Sequence, residues 1–117
     1  MVKVYVYNKC STCRKALAFL DREQVDYITV PIRETPPSVA ELKRMTGIIE
    51  GGSGKLFNTS GHDYREQHIK DRLSDLSDAE RFNLLNSNGN LVKRPFAIGP
   101  DIGLVGFKEE RWKGAFQ

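Results

Sequence analysis

The stretch YNKCSTCRKALAFL, residues 7–20, carries two cysteines three positions apart, where one hydrophobic period gives way to another. Before it, Val2, Val4 and Val6 alternate with Tyr5 and Tyr7, and Lys3 is the only charge, so both faces of this segment are suited to cover. That pattern predicts a central β-strand over residues 2–7. From Ser11 the period lengthens. Cys13, Ala16, Leu17 and Leu20 share one helical face, while Arg14, Lys15, Asp21 and Arg22 point elsewhere. The helix is expected to end near Glu23. Residues 25–32 then read as a second strand, with Pro31 marking an edge or an exit. A β-α-β unit within about 30 residues has the spacing of a right-handed parallel crossover.

The chain beyond this unit is helical before it becomes extended again. In PPSVAELKRMTG, Ser38 and Glu41 form a capping box, Gly47 is expected to stop the helix, and Val39, Leu42 and Met45 are expected to line it. GIIEGGSGKLFNTSG reads as an exposed irregular connection. Its GGSGK is no phosphate loop, because Ile49 and Leu56 stand where that motif needs Gly and Ser or Thr. Residues 62–73 are expected to form one helix and SDAERFNLLNSNG another, capped by Ser77 and Glu80 and stopped by Gly89. Residues 96–98 and 102–105 around GPD signal a hairpin, and a last helix is expected to pack Trp112, Ala115 and Phe116 on one side. With the middle removed, the order is that of a thioredoxin-like, glutaredoxin-like α/β fold. The expectation is a single domain over residues 1–117 with a helical insertion at about 34–90.

Composition narrows the function. The chain has 117 residues, and its 18 Lys and Arg against 15 Asp and Glu leave a net charge of +3, too small to imply direct nucleic-acid binding. No stretch approaches the roughly 20 apolar residues of a membrane span, and the amino terminus lacks the features of a secretory leader. A cysteine pair that closes a loop of only four residues, the cysteines included, is a poor staple, so the expected setting is a reducing cytoplasm.

Three readings of Cys10 and Cys13 compete: a redox centre, part of a metal site, or two buried small apolar residues. Structural zinc needs four ligands, and His62 and His68 match no usual ligand spacing, so no metal is expected. A redox role needs a thiolate, with a pKa brought down from about 8.5. At the start of a helix, the dipole contributes about 0.3–1 kcal/mol when exposed and up to about 2 kcal/mol when partly buried. At about 1.36 kcal/mol per unit, that lowers the pKa by roughly one and a half units at best. Further lowering is expected from N–H to sulfur hydrogen bonds and from Lys9 and Arg14. Cys13, one turn further in, is expected to be more buried and to serve as the resolving thiol. In KRPF, Arg94 offers a planar donor fork to an anion, and Pro95 is a candidate for a cis peptide beside the thiols.

YNKCSTCRKALAFL, LFNTSG with DYRE after it, KRPF and VGFKEE, in this order of elements, resemble the ArsC/Spx family, and the resemblance covers essentially the whole chain. The family consists of thioredoxin-fold proteins with an inserted helical region and includes glutaredoxin-coupled arsenate reductases. The resemblance implies that Cys10 is the nucleophile, Arg94 the anion-binding arginine and Pro95 the cis proline. The arsenate reductases use two further arginines, where this chain has Asn58 and, in VGFKEE, Phe107 followed by Lys108. A lysine offers a point charge in place of a planar fork, so weaker binding of arsenate is expected. Arg14, Asn58, Arg94, Pro95 and Lys108 are the expected substrate contacts. Cys13 makes the motif similar to the Spx/MgsR branch, transcriptional regulators that bind RNA polymerase and sense oxidation through such a pair.

Two functions follow from the resemblance. One is a monomeric thiol-dependent oxidoreductase without a bound cofactor, supplied with electrons by glutathione, glutaredoxin or thioredoxin. The other is a redox-switched regulator whose partner is the RNA polymerase alpha subunit.

Overall fold

The computed structural model describes residues 1–116. Its centre is a four-stranded sheet in the order β2-β1-β3-β4, built from β1 (Val2–Val6), β2 (Tyr27–Pro31), β3 (Phe96–Ile98) and β4 (Gly103–Val105). β1 runs parallel to β2 with Val4 opposite Thr29, and antiparallel to β3 with Val4 opposite Ala97. β3 and β4 form the antiparallel hairpin. Helix α1 (Ser11–Arg22) makes the crossover from β1 to β2, and α6 (Glu109–Ala115) follows β4. This is the thioredoxin-like arrangement. β1 is central, as its two-sided apolar pattern requires, and Pro31 ends an edge strand, where its missing N–H costs the ladder nothing.

Alternation along β1 divides the core. Val2 and Val4 face Ala16, Phe19, Leu20 and Trp112 of α1 and α6. Tyr5 faces the other way, into a cluster with Leu42, Met45 and Leu85. That second cluster is supplied by helices standing between β2 and β3: α2 (Val39–Ile48), α3 (His62–Glu66), α4 (Ile69–Arg72) and α5 (Asp78–Ser87), with short 3-10 turns at Ser53–Leu56, Leu73–Asp75 and Gly89–Leu91. Both capping boxes form, Ser38 with Glu41 and Ser77 with Glu80.

Several local expectations are corrected. α2 runs through Gly47 and closes one residue later, with the Ile49 N–H donating to the Met45 carbonyl, and Val39 is 38% exposed. Ser53, Leu56 and Phe57 are buried, so the glycine-rich connection is part of the core. Its Ser53 hydroxyl donates to Asp78 at 2.6 Å and accepts from Arg81 at 3.0 Å. The expected helix over residues 62–73 is broken at His68, whose φ of 53° is left-handed. The break allows both Tyr64 and Ile69 to reach the core. α5 ends before Asn88, and Gly89 instead opens a 3-10 turn. In α6 Trp112 is buried and Ala115 faces solvent, while Phe116, which caps the helix, is half-buried. On α1 Phe19 joins the buried face, and Leu17 is only partly covered.

Candidate thiol site

After β1 the chain turns through Asn8 and Lys9, with the Cys10 N–H donating to the Tyr7 carbonyl at 3.0 Å. The turn leaves Cys10 at the N-cap of α1, in extended backbone with φ −93° and ψ 113°. Its Sγ then does what a Ser or Asp oxygen does at that position and accepts the Cys13 N–H, at 3.4 Å. The Cys10 thiol is half-buried and the Cys13 thiol buried, and both are free.

These positions make the pair unequal. Partial burial works to raise the Cys10 pKa, but hydrogen bonds from the Cys13 thiol and the Cys13 N–H, together with the Arg94 guanidinium, outweigh it and hold the thiol below its ordinary range. Burial pushes Cys13 up to about 12, with Cys10 adding to the effect against a backbone hydrogen bond at Tyr7 and the charge of Arg94. Ionisation therefore favours the outer sulfur over the inner one, which keeps its proton at neutral pH.

Arg94 comes from the opposite end of the chain. The Lys93 N–H donates to the Leu56 carbonyl at 2.7 Å and the Asn58 N–H to the Leu91 carbonyl at 2.8 Å, so the segments around Asn58 and Arg94 lie side by side. The Arg94-Pro95 peptide is cis, and Pro95 leads directly into β3. Tyr7, Asn58 and Arg94 line one cavity of about 240 Å³ with Arg33, Asp63 and Asn90.

The expected contacts thus divide. Cys10, Cys13 and Arg94 come together, with Pro95 next to Arg94 and Asn58 on the same cavity wall. Arg14 is occupied elsewhere, donating from Nη1 to the Asn8 carbonyl at 3.1 Å and so holding the turn that presents Cys10. Lys108 is exposed at the N-cap of α6 and does not line the cavity. Sequence reading missed Tyr7, Arg33, Gly61, His62, Asp63 and Asn90 as cavity residues. Only Tyr7 carried a signal, as the last alternating residue before the cysteines. Among the described residues no three His, Cys, Asp or Glu side chains gather as a metal site, and no helix is long and apolar enough to cross a membrane.

The arrangement can hold a thiolate, offer it a disulfide partner one helical turn away, and place a guanidinium beside both. Comparison with known proteins agrees with that reading of the architecture. The uncharacterised protein YusI of Bacillus subtilis is 40% identical over 109 residues, which is 93% of this chain and 92% of that protein. The global transcriptional regulator Spx 2 of Bacillus cereus is 30% identical over 110 residues, 94% of this chain and 82% of the regulator. The crystal structure of a "possible arsenate reductase" from Streptococcus mutans matches with a TM-score of 0.87 at 37% identity, covering 97% of this chain and 98% of that one. The ArsC family profile runs over residues 5–115, through both cysteines, Arg94 and the last helix, and this chain belongs to the ArsC family.

Proposed function

We propose that the protein is a thiol-dependent oxidoreductase in which Cys10 attacks and Cys13 resolves. The observation that carries this reading is the inequality of the pair: an outer N-cap sulfur held toward the thiolate by N–H and guanidinium donors, and an inner, buried thiol that keeps its proton. The Cys10 thiolate attacks one sulfur of a disulfide substrate. The substrate S–S bond breaks, the departing sulfur leaves as a thiolate, and a mixed disulfide forms on Cys10. Once Cys10 is so occupied, its negative charge no longer opposes ionisation of Cys13. The Cys13 proton leaves, its sulfur attacks Cys10, and the second half of the substrate departs as a thiolate. Two electrons have passed to the substrate and the protein holds a Cys10–Cys13 disulfide. Glutathione, glutaredoxin or thioredoxin then returns the two electrons in a reducing cytoplasm, and the protein acts as a monomer. Arsenate is a poor substrate in this reading. Of the charged contacts expected for it, Arg94 alone lies at the thiol, Asn58 brings no charge, and Lys108 is outside the cavity.

Intact-mass analysis after equilibration in a glutathione redox buffer tests the assignment. Wild type is expected to close the Cys10–Cys13 disulfide, Cys13→Ser to retain glutathione on Cys10, and Cys10→Ser to do neither. A wild-type protein that carries glutathione on Cys10 and never closes the pair would remove Cys13 from the mechanism.

A second reading is favoured by the 30% identity to Spx 2 over 94% of the chain: a redox-switched regulator that binds the RNA polymerase alpha subunit. Pull-down with polymerase, performed on the dithiol and disulfide forms, separates the two. Capture in one redox state only supports the regulator, and an empty pull-down in both states ends it.

A further inference from the structure

The proposed thiol chemistry leaves one wall of the cavity without a role. Arg33 and Arg94 stand over the same Tyr7 ring, their Cζ atoms 4.8 and 5.0 Å from its centroid. Arg33 Nη1 also donates to the Tyr7 hydroxyl at 2.9 Å. Each cation gains from the ring face, yet the two repel each other, and among the described residues neither is in an ion pair. Besides Tyr7 and Gly61, the cavity is lined by these two guanidiniums, the amides of Asn58 and Asn90, the His62 imidazole and one carboxylate, Asp63. Asp63 Oδ2 accepts from Asn88 at 3.0 Å and from Asn90 at 3.2 Å, and these amides, with the charge of Arg33 among lesser causes, hold its carboxyl below the ordinary range, so it offsets one of the two guanidiniums. Two guanidiniums against one carboxylate leave the wall with an excess positive charge, which suits a further anion.

Arg33 is mounted firmly. Its neighbour Ile32 continues the edge of the sheet, donating to the Val6 carbonyl at 2.9 Å, and is fully buried. Behind it lies Gly89, where an added Cβ would stand 1.8 Å from the Ile32 carbonyl oxygen, so backbone meets backbone with no room between. The two guanidiniums also differ in reach. Only Arg94 acts on the Cys10 sulfur, whereas Arg33 holds the hydroxyl, the tip of the Tyr7 side chain farthest from its backbone. A compact oxyanion at Cys10 meets Arg94 alone. A longer molecule, with its sulfur at Cys10 and a carboxylate several bonds away, meets both. The cavity, at about 240 Å³, is smaller than the roughly 300–1,000 Å³ of sites for drug-sized ligands, which suits one arm of a small molecule.

We propose that Arg33 and Arg94, set on Tyr7, form a subsite for the carboxylate of a small thiol whose sulfur reacts at Cys10, and that Arg33 selects acidic over neutral disulfides. This rests on the oxidoreductase reading above. The subsite changes no bond in the reaction. It orients the disulfide by a planar donor fork that a carboxylate can satisfy in two places.

The test compares glutathione disulfide with the same disulfide after esterification of its carboxylates, reading the rate at which the reduced protein closes Cys10–Cys13. Wild type is expected to prefer the acidic form, and added salt to erode the preference. Arg33→Gln is expected to lower the rate with the acidic form by about fivefold, the upper range for an exposed ion pair, and to leave the esterified form unaffected. Arg33→Lys should recover part of the preference. Equal slowing of both disulfides, or an unchanged preference in Arg33→Gln, overturns the subsite while leaving the oxidoreductase standing. A second arm does not depend on turnover: S-methylglutathione is titrated into the reduced protein while the Arg33 Nε–H resonance is followed. Saturable, carboxylate-dependent shifts in wild type, with weaker binding in Arg33→Gln when the Arg94 Nε–H is followed instead, support the subsite even if no disulfide is reduced. Their absence in wild type overturns it.

Discussion

Behind β1, on the side of Val2 and Val4, the molecule is held by rings; in front, on the side of Tyr5, an apolar cluster is also laced by polar links. Trp112 meets Phe19 edge to face at 6.2 Å between centroids and Phe107 at 5.2 Å, and its one donor, Nε1, is satisfied by the Gly106 carbonyl at 3.1 Å. On the other side Glu41 accepts from Tyr5 at 2.6 Å and from Lys3 at 2.9 Å, Ser53 bridges Asp78 and Arg81, and Asp63 gathers Asn88 and Asn90. The two sides hold different halves of the site. The ring side holds α1 and hence the thiols, which need only a fixed helix start. The polar side holds the wall carrying Asn58, Asn90 and Arg33, whose side chains must point in chosen directions. Apolar contact gives bulk stability without direction, and hydrogen bonds give direction with modest net stability.

Substitutions should therefore separate in size. Trp112→Ala removes the largest buried side chain on the ring side and is expected to cost about 3–5 kcal/mol in urea unfolding, before any specific effect on the thiols. A loss under about 1 kcal/mol would mean that α6 is not needed to hold α1. Gly89→Ala acts on the polar side through a single backbone contact. Because the new methyl overlaps the Ile32 carbonyl, either the strand end or the 3-10 turn must move, at a cost of roughly 1–3 kcal/mol. The displaced strand end carries Arg33, so this variant should also lose the preference for an acidic disulfide. Unchanged stability would show that the two backbones part without strain.

The same division governs how much was legible in the sequence. β1 and α1 were readable because their burial follows their own apolar pattern, β2 from its β-branched run although no residue of it is fully buried, and both capping boxes because their bonds close within three residues. Cys10, Cys13 and Arg94 could be picked out by residue type and position. What failed depended on partners far along the chain. Gly47 did not stop α2, and no neighbour lies within 4 Å of where its Cβ would be, so glycine there is not required by a turn. The bend at His68 arises because Tyr64 and Ile69 are drawn into one core, and no local residue announces it. Ser53 is buried by bonds to residues 25 and 28 positions away. Arg33 looked like any solvated cation, since its place in the cavity rests on Tyr7, 26 residues earlier.

The smallest expected effect lies in the strap between β1 and α2, and it should appear only as a dependence on pH. Burial works to raise the Glu41 pKa, but the Tyr5 hydroxyl, the Ser38 N–H and Lys3 together hold it below the ordinary carboxylate range. A carboxyl with a depressed folded pKa stabilises the fold above its unfolded pKa, about 4.3 for Glu, and loses that contribution as pH falls through the folded value. Glu41→Gln keeps one acceptor oxygen for Tyr5 and Ser38, which share Oε1, and removes the titration together with the ion pair to Lys3. Wild type should therefore be the more stable of the two at pH 7, with the gap narrowing as pH is lowered from about 5 toward the folded pKa. The gap at pH 7 should be modest, because Lys3 is 40% exposed and its attraction is screened. If urea midpoints of the two proteins ran parallel from neutral to acid, the charge on Glu41 would contribute nothing, and the strap would act as a set of neutral hydrogen bonds like those around Asn88 and Asn90.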